Sequence, residues 1–173
     1  METMNKQGKL PLRVYVMFGY FSDAKEIDDV ISALDKTGIK TGFGNDRLKF
    51  GEFKIMAGNS RGSRTCWLQN PYVGSSYEGK NYYGIPHPLL SPEPAKIDDV
   101  VLAAHKAGLQ IGIHLQGDRE ISRGLEAIEK ALKQYPRADH RHRIEHGSFW
   151  GRDTTMLAYS GASRHRNMME AAT

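Results

Sequence analysis

Leu109-Gln-Ile-Gly-Ile-His114-Leu-Gln-Gly-Asp118 is an apolar strand-like run that ends at a histidine and passes through Gly-Asp into a helical pattern. Arg143-Ile-Glu-His146 repeats this ending one strand-plus-helix unit later. Leu48-Lys-Phe-Gly-Glu-Phe-Lys54 comes earlier and closes on a lysine. Imidazoles and an amine carried on successive strand ends can converge on one point above a β/α barrel. A metal site is therefore the sharpest chemical reading of the chain.

Outward from these runs, strand and helix patterns alternate. Residues 10–18 read as a strand. Ser22-Asp23 offers a helix cap, Ile27, Val30, Ile31 and Leu34 follow at helical spacing, and Gly38 ends that helix. Residues 48–56 form the next strand. From Ala57 to Ser91 the pattern dissolves into Gly, Ser, Asn, Pro and Tyr. A loop of that length is functional or disordered, and its aromatic residues (Trp67, Tyr72, Tyr77, Tyr82, Tyr83) argue against disorder. Pro92 and Pro94 precede a helix carrying Ile97, Val100, Val101 and Ala104, closed by Gly108. Residues 109–115 form a strand, and Asp118 caps a helix whose stripe is Ile121, Leu125, Ile128 and Leu132. Residues 142–149 are the last strand.

The order β-α-β-loop-α-β-α-β predicts an α/β fold with a parallel sheet and right-handed crossovers. An open doubly wound sheet and part of a (β/α)8 barrel both satisfy it. A complete barrel takes about 250 residues, so this chain would supply about half of one. The barrel segment is expected at residues 10–150, followed by a poorly structured tail at 151–173. No G-x-G-x-x-G or P-loop follows a strand, so nucleotide binding lacks its usual signature.

The composition, 39% hydrophobic and 25% charged, is that of an ordinary globular chain. The net charge of +4 is scattered, and Asp139 interrupts the densest basic stretch, Arg137 to Arg143. A nucleic-acid face needs clustered cations with interleaved aromatics, so no nucleic-acid partner is expected. The amino terminus lacks the apolar core of a signal peptide and no run is long enough to cross a bilayer, so no membrane partner is expected. A lone cysteine, Cys66, excludes an internal disulfide and fits a reducing, cytoplasmic setting.

Each candidate residue has a competing structural explanation. His114 at a parallel strand end is either a ligand or a hydrogen-bonded core histidine. Asp118 caps the next helix or orients a nearby imidazole. Strand alternation places Arg141, Arg143 and Glu145 on one face and His142, Ile144 and His146 on the other, which also describes a salt-bridged surface strand. Lys54 lies among Phe50, Phe53, Ile55 and Met56, where a buried amine is costly unless neutralised or paired. Carboxylation by carbon dioxide would turn it into a carbamate able to bridge two metals; snorkelling or pairing with a carboxylate is the alternative. Residues 58–65, Gly-Asn-Ser-Arg-Gly-Ser-Arg-Thr, form an anion cradle or an ordinary turn. His87, His105, His140, His142 and His165 lack a strand-end context and are read as structural or exposed.

Taken together these segments resemble the amidohydrolase superfamily, and within it the amidohydrolase-3 (YtcJ-like) group. The resemblance is carried by Leu12-Arg-Val-Tyr-Val, Arg47-Leu-Lys-Phe-Gly-Glu-Phe-Lys-Ile, Gly62-Ser-Arg-Thr65 and Asn70-Pro-Tyr72. It continues through Ala103 to Asp118 and through Asp139-His-Arg-His-Arg-Ile-Glu-His146. It implies a distorted TIM barrel holding one or two divalent metals, commonly zinc, which activate water to hydrolyse carbon–nitrogen bonds other than peptide bonds. It implies Lys54 as a bridging, often carboxylated lysine, His114 and His146 as single histidine ligands, and Asp118 behind them. The implied substrate is a small amide-type molecule.

The departures from that pattern are specific. The His-x-His pair of the first strand is missing, because His140-Arg-His142 falls on the sixth-strand segment. The eighth-strand aspartate is missing too, and Gly58-Asn59-Ser60 stands where relatives read Asp-Gly-Ser. The chain thus resembles a middle slice of a larger enzyme, strands around three to six, expected to be weak or inactive alone. A non-catalytic half-barrel that associates with another chain through its outer strands is the second expectation. A flavodoxin-like module with a ligand at a topological switch point is the third.

Overall fold

The computed structural model describes residues 1–92 and 95–151. Its elements are α1 (Glu2–Lys6), β1 (Val14–Phe21), α2 (Ala24–Thr37), β2 (Leu48–Met56), β3 (Ser76–Tyr77), β4 (Lys80–Asn81), α3 (Ile97–Lys106), β5 (Gln110–Leu115), α4 (Asp118–Gln134) and β6 (Arg143–His146). Four strands form one parallel sheet in the order β1-β2-β5-β6, and β3 and β4 make a small antiparallel pair. Apart from Gly151, the tail expected at 151–173 lies outside the described residues.

In the large sheet the spatial order follows the chain order. Right-handed crossovers in one direction put every connecting helix on the same face, as in a barrel, and create no switch point. The doubly wound and flavodoxin-like expectations fail on this point. The architecture is that of a partial barrel. Among the described residues β1 and β6 remain open edges and no closed barrel forms.

The local chemistry explains the elements. Asp23 caps α2 by accepting the Glu26 N–H at 3.0 Å, and Gly38 ends it in the left-handed conformation, φ 70°. The apolar stripes of α2, α3 and α4 supply Ile27, Ile31, Val100, Val101, Ala104, Ile121, Leu125 and Ile128 to one core. From the sheet they meet Phe53, Ile55, Ile111, Ile113 and Leu115, all without solvent exposure. Each such side chain contributes about 1.5–3 kcal/mol by burial. The opposite sheet face is polar. Glu52 stands in register with Gln110, Lys54 with Gly112 and Arg143, and Met56 with His114 and Glu145. Gly112 has a steric reason: a Cβ there would come 2.6 Å from the Glu52 carboxylate.

The long connection between β2 and α3 is ordered by side chains. The Tyr72 hydroxyl meets Cys66 Sγ at 2.9 Å and Tyr72 stacks on Tyr82, while Arg119 sits over the Trp67 ring. Residues 58–65 form a turn rather than an anion cradle. The Ser60, Arg61, Gly62, Arg64 and Thr65 N–H groups are already given to Thr65, Gln116, Ser60, Arg61 and Ser60 respectively.

A second set of histidines closes the amino-terminal end of the sheet. His105, His140 and His142 are all buried. Ile111 N–H donates to His142 Nδ1 at 3.1 Å, which leaves the hydrogen on His142 Nε2. That hydrogen points to His105 Nδ1 at 2.9 Å, and His105 Nε2–H donates to the Tyr135 carbonyl at 2.7 Å. Arg137 Nη2, 3.4 Å from His142 Nε2, gives its hydrogen to the Leu109 carbonyl. Every ring nitrogen of this pair has one partner, and only the neutral forms satisfy them all.

Burial, with the neighbouring His140, Arg137 and His105, pushes His142 down to about 2; burial also lowers His105. An unfolded histidine titrates near 6.5. Below that pH the unfolded chain takes up protons that the relay refuses, so stability is complete above about pH 6.5 and is lost as pH falls toward the folded values. The urea midpoint is therefore expected to drop between pH 7 and pH 5. His87 and His114 shift in the same direction, so the relay is isolated by His142→Gln, which should be less stable at pH 7 and less sensitive to acid. A wild-type midpoint that stays flat over that range would refute the neutral relay.

Candidate metal centre

Lys54, His114 and His146 come from three adjacent strands, β2, β5 and β6. His114 and His146 sit at the carboxyl ends of their strands. Their rings meet edge to face with centroids 4.4 Å apart. Simple alternation would place His146 beside Ile144 on the helix side, because its register partner Leu115 is fully buried there. The chain breaks alternation at this residue: His146 has φ 72°. A left-handed backbone at a residue other than glycine costs about 1–2 kcal/mol, and here it brings the imidazole back to His114.

His114 is half-buried. Desolvation, aided by the His146 and Lys54 charges, pushes its imidazole down to about 4, so it is neutral at pH 7 with one lone pair available. The tautomer follows from its neighbours. Gln116 Oε1 accepts the Arg61 N–H at 2.9 Å, so the Gln116 amide nitrogen faces His114 Nε2 at 3.2 Å and donates to it. The ring hydrogen is then on Nδ1, available to the Asn59 main chain, whose hydrogen bond favours the protonated side of the ring. An imidazole anchored through one N–H to a main-chain carbonyl, with the other nitrogen unprotonated, is the form that ligates a metal once the Gln116 amide moves aside.

Lys54 is buried on the polar face. Burial holds its amine below the usual lysine range, partly offset by the Glu145 and Glu52 carboxylates. Those carboxylates also flank Arg143, whose Nη2 lies 3.0 Å from Glu52 and 2.7 Å from Glu145. A buried amine with a depressed pKa is the kind that reacts with carbon dioxide. Among the described residues no three His, Cys, Asp or Glu side chains gather as a metal cluster. His114 and His146 supply two, and Lys54 would join only as a carbamate. His140 and His142 cannot add to them, since they stand at the other end of β6.

Asp118 takes a different place from the one its sequence context suggests. Its Oδ1 accepts the Gln69 N–H and its own neighbour's, Arg119, both at 2.8 Å, tying the long loop to α4. It is the first residue of α4 rather than its cap, and Gly117 occupies the cap position. The residue that sequence reading passed over is Glu120, fully buried, whose carboxylate accepts four main-chain N–H groups around the strand ends. Its signal was a carboxylate at the third helical position, where a side chain reaches back to the helix start.

A one-direction parallel half-barrel with polar side chains at its carboxyl strand ends has the architecture of part of a TIM-type barrel, whose chemistry sits at that end. The amidohydrolase family model (Amidohydro_3) covers residues 1–161, and the chain belongs to that family. An uncharacterized metal-dependent hydrolase from Pyrococcus furiosus shares the fold with a TM-score of 0.64 at 22% identity, over 91% of this chain and 28% of that one. Another from Pyrococcus horikoshii OT3 gives 0.65 at 23% identity, over 90% and 27%. Protein LONG AFTER FAR-RED 3 of Arabidopsis thaliana is 31% identical over 99 residues, 57% of this chain and 16% of its own length. The exoenzymes regulatory protein AepA of Pectobacterium carotovorum subsp. carotovorum is 28% identical over 134 residues, 77% of this chain and 26% of its own length. The chain therefore spans between 16% and 28% of the length of these relatives.

If the left-handed turn at His146 exists to aim the imidazole, relieving it should not harm the fold. His146→Asn, which tolerates that conformation, is expected to be as stable as wild type or up to about 1 kcal/mol more stable in urea unfolding. A clear loss of stability would make the ring a packing element.

Proposed function

We propose that this chain carries the paired-histidine part of an amidohydrolase active face, acting on carbon–nitrogen, amide-type bonds of small molecules. The observation that carries the reading is the convergence of the His114 and His146 rings from adjacent strand ends, achieved through a left-handed backbone at His146. His114 and His146 would hold a divalent ion, with Lys54 as a third ligand once carboxylated. Neutral imidazole and carbamate suit zinc. A bound zinc would supply Lewis acidity toward the amide carbonyl and lower the pKa of water to about 7.

The protein's own residues prepare the place. Desolvation keeps the His114 lone pair free at neutral pH. Burial keeps the Lys54 amine more available than on the surface. The Asp118–Gln69 tie holds the long loop beside the strand ends, where it would wall the substrate side. With two imidazoles and one modifiable amine, affinity is weak and turnover by this chain alone is low. Cys66, buried against Tyr72 and unable to form an internal disulfide, fits a cytoplasmic setting.

Zinc titration of the purified chain by calorimetry tests this reading. Weak uptake is expected, falling at least about tenfold in His114→Ala and in His146→Ala. Uptake untouched by either substitution would overturn it. A second reading, a non-catalytic half-barrel that pairs with another chain, is favoured by the open edges: Leu12, just before β1, and Tyr15 and Met17 on it are 68%, 49% and 45% exposed. A compact monomer in sedimentation velocity across micromolar concentrations would count against it.

A further inference from the structure

Glu120 has no solvent exposure, yet its carboxylate is surrounded by donors. Oε1 accepts Asn59 N–H at 3.0 Å and Trp67 N–H at 2.8 Å. Oε2 accepts Gln116 N–H at 2.9 Å and Gly117 N–H at 3.0 Å. Helix capping accounts for the last two, which belong to the start of its own helix. It does not account for the first two, which are 61 and 53 residues away in sequence.

These donors lie in two separate segments, the first part of the long connection after β2 (Asn59 and Trp67) and the turn between β5 and α4 (Gln116 and Gly117). Each segment holds one side of the His114 ring. Asn59 provides the main-chain hydrogen bond, and Gln116 provides the side-chain amide at Nε2. The segments are joined again by Arg61 N–H, which donates to Gln116 Oε1 at 2.9 Å and so fixes which end of that amide faces the ring. One buried carboxylate thus grips both of the residues that grip the imidazole.

We infer that Glu120 is a positioning residue, locking the β2 turn to the β5–α4 turn so that His114 keeps one ring orientation and the Nδ1–H tautomer. This rests on the reading of His114 as a ligand for its purpose, though not for its geometry. A carboxylate suits the task because it is acceptor-only, and all four neighbours are donors. In Glu120→Gln an amide NH2 must face two of those N–H groups, so one segment is released while side-chain volume is kept.

The test is long-range proton–nitrogen correlation NMR on the full nitrogen-15-labelled chain at pH 7.5, with zinc titration of the same samples. In the wild type, His114 should show a single Nδ1–H tautomer. In Glu120→Gln it should average between tautomers, while His105 and His142, held by their own relay at the other end of the sheet, keep theirs. Zinc affinity should fall about 10–100-fold. A His114 pattern and an affinity that both stay unchanged in the folded variant would overturn the inference.

Loss of the His105 and His142 signals would show that Glu120→Gln does not fold. Gly58→Ala then decides by the same criteria. Its Cβ would come 2.5 Å from Glu120 Oε2 and 2.9 Å from the His114 carbonyl, disturbing the same corner without removing the carboxylate. Should wild type take up no zinc at all, the metal reading fails by itself, and the tautomer spectra still settle the role of Glu120.

Discussion

Winding a parallel sheet in one direction forces its crossover helices onto a single face, and the rest of this molecule follows from that constraint. The helix side takes the apolar residues of β2 and β5, Phe53, Ile55, Ile111, Ile113 and Leu115. The alternate positions, Glu52, Lys54, Gln110 and His114, are left on the face opposite the crossover helices. In a closed barrel such positions fill an interior. Here they form a charged row in which Glu52, Arg143 and Glu145 compensate one another around Lys54. Glu52 shows the cost of the arrangement. Burial raises its carboxyl pKa, opposed first by the Arg143 charge, so its ionised form depends on that guanidinium. Removing one member of such a group destabilises more than the pair itself stabilises.

Features that a purely structural design would avoid gather at one end of this face. A residue other than glycine is left-handed at His146. A lysine is buried at position 54, and a histidine at 114 is held neutral by desolvation. Each is unfavourable taken singly; the two imidazoles meet at the carboxyl rim, the end where β/α barrels place chemistry, and Lys54 lies two residues back along β2, level with Gly112. Strain and desolvation concentrated in one place are compensated elsewhere, here by the apolar core under the sheet and by the Glu120 clamp behind the site.

Much of this was legible in the residues. Period-two runs and helical stripes located β2, β5, α2, α3 and α4, because those signals report which face is buried. The edges read less well. The first strand runs from Val14 to Phe21 rather than 10–18, and the last is only Arg143 to His146, since an edge strand ends where pairing ends and side-chain pattern does not encode that. Alternation assigned His146 to the wrong face, as it cannot register a single left-handed residue. Asp118 Oδ1 accepts the Gln69 N–H, a contact across 49 residues that spacing alone does not show. Glu120 escaped notice because a glutamate in the first turn of a helix is commonplace until its distant donors are seen.

Hydrogen-bond partners separate the two groups of histidines, which composition treats alike. At the amino-terminal end, His142 and His105 use every ring nitrogen within the protein: main-chain N–H to Nδ1, Nε2–H to the next Nδ1, and a final N–H to the Tyr135 carbonyl. No lone pair remains there for a cation, and the Arg137 guanidinium stands beside the pair. At the carboxyl-terminal end, His114 commits its N–H side to the main chain and offers Nε2 only to a glutamine amide on a rotatable side chain. An amide that can swing aside leaves a lone pair next to a second imidazole. Closed hydrogen-bond accounts make the first group a stabilising seal, and the open one leaves the second pair able to take up the proposed ion.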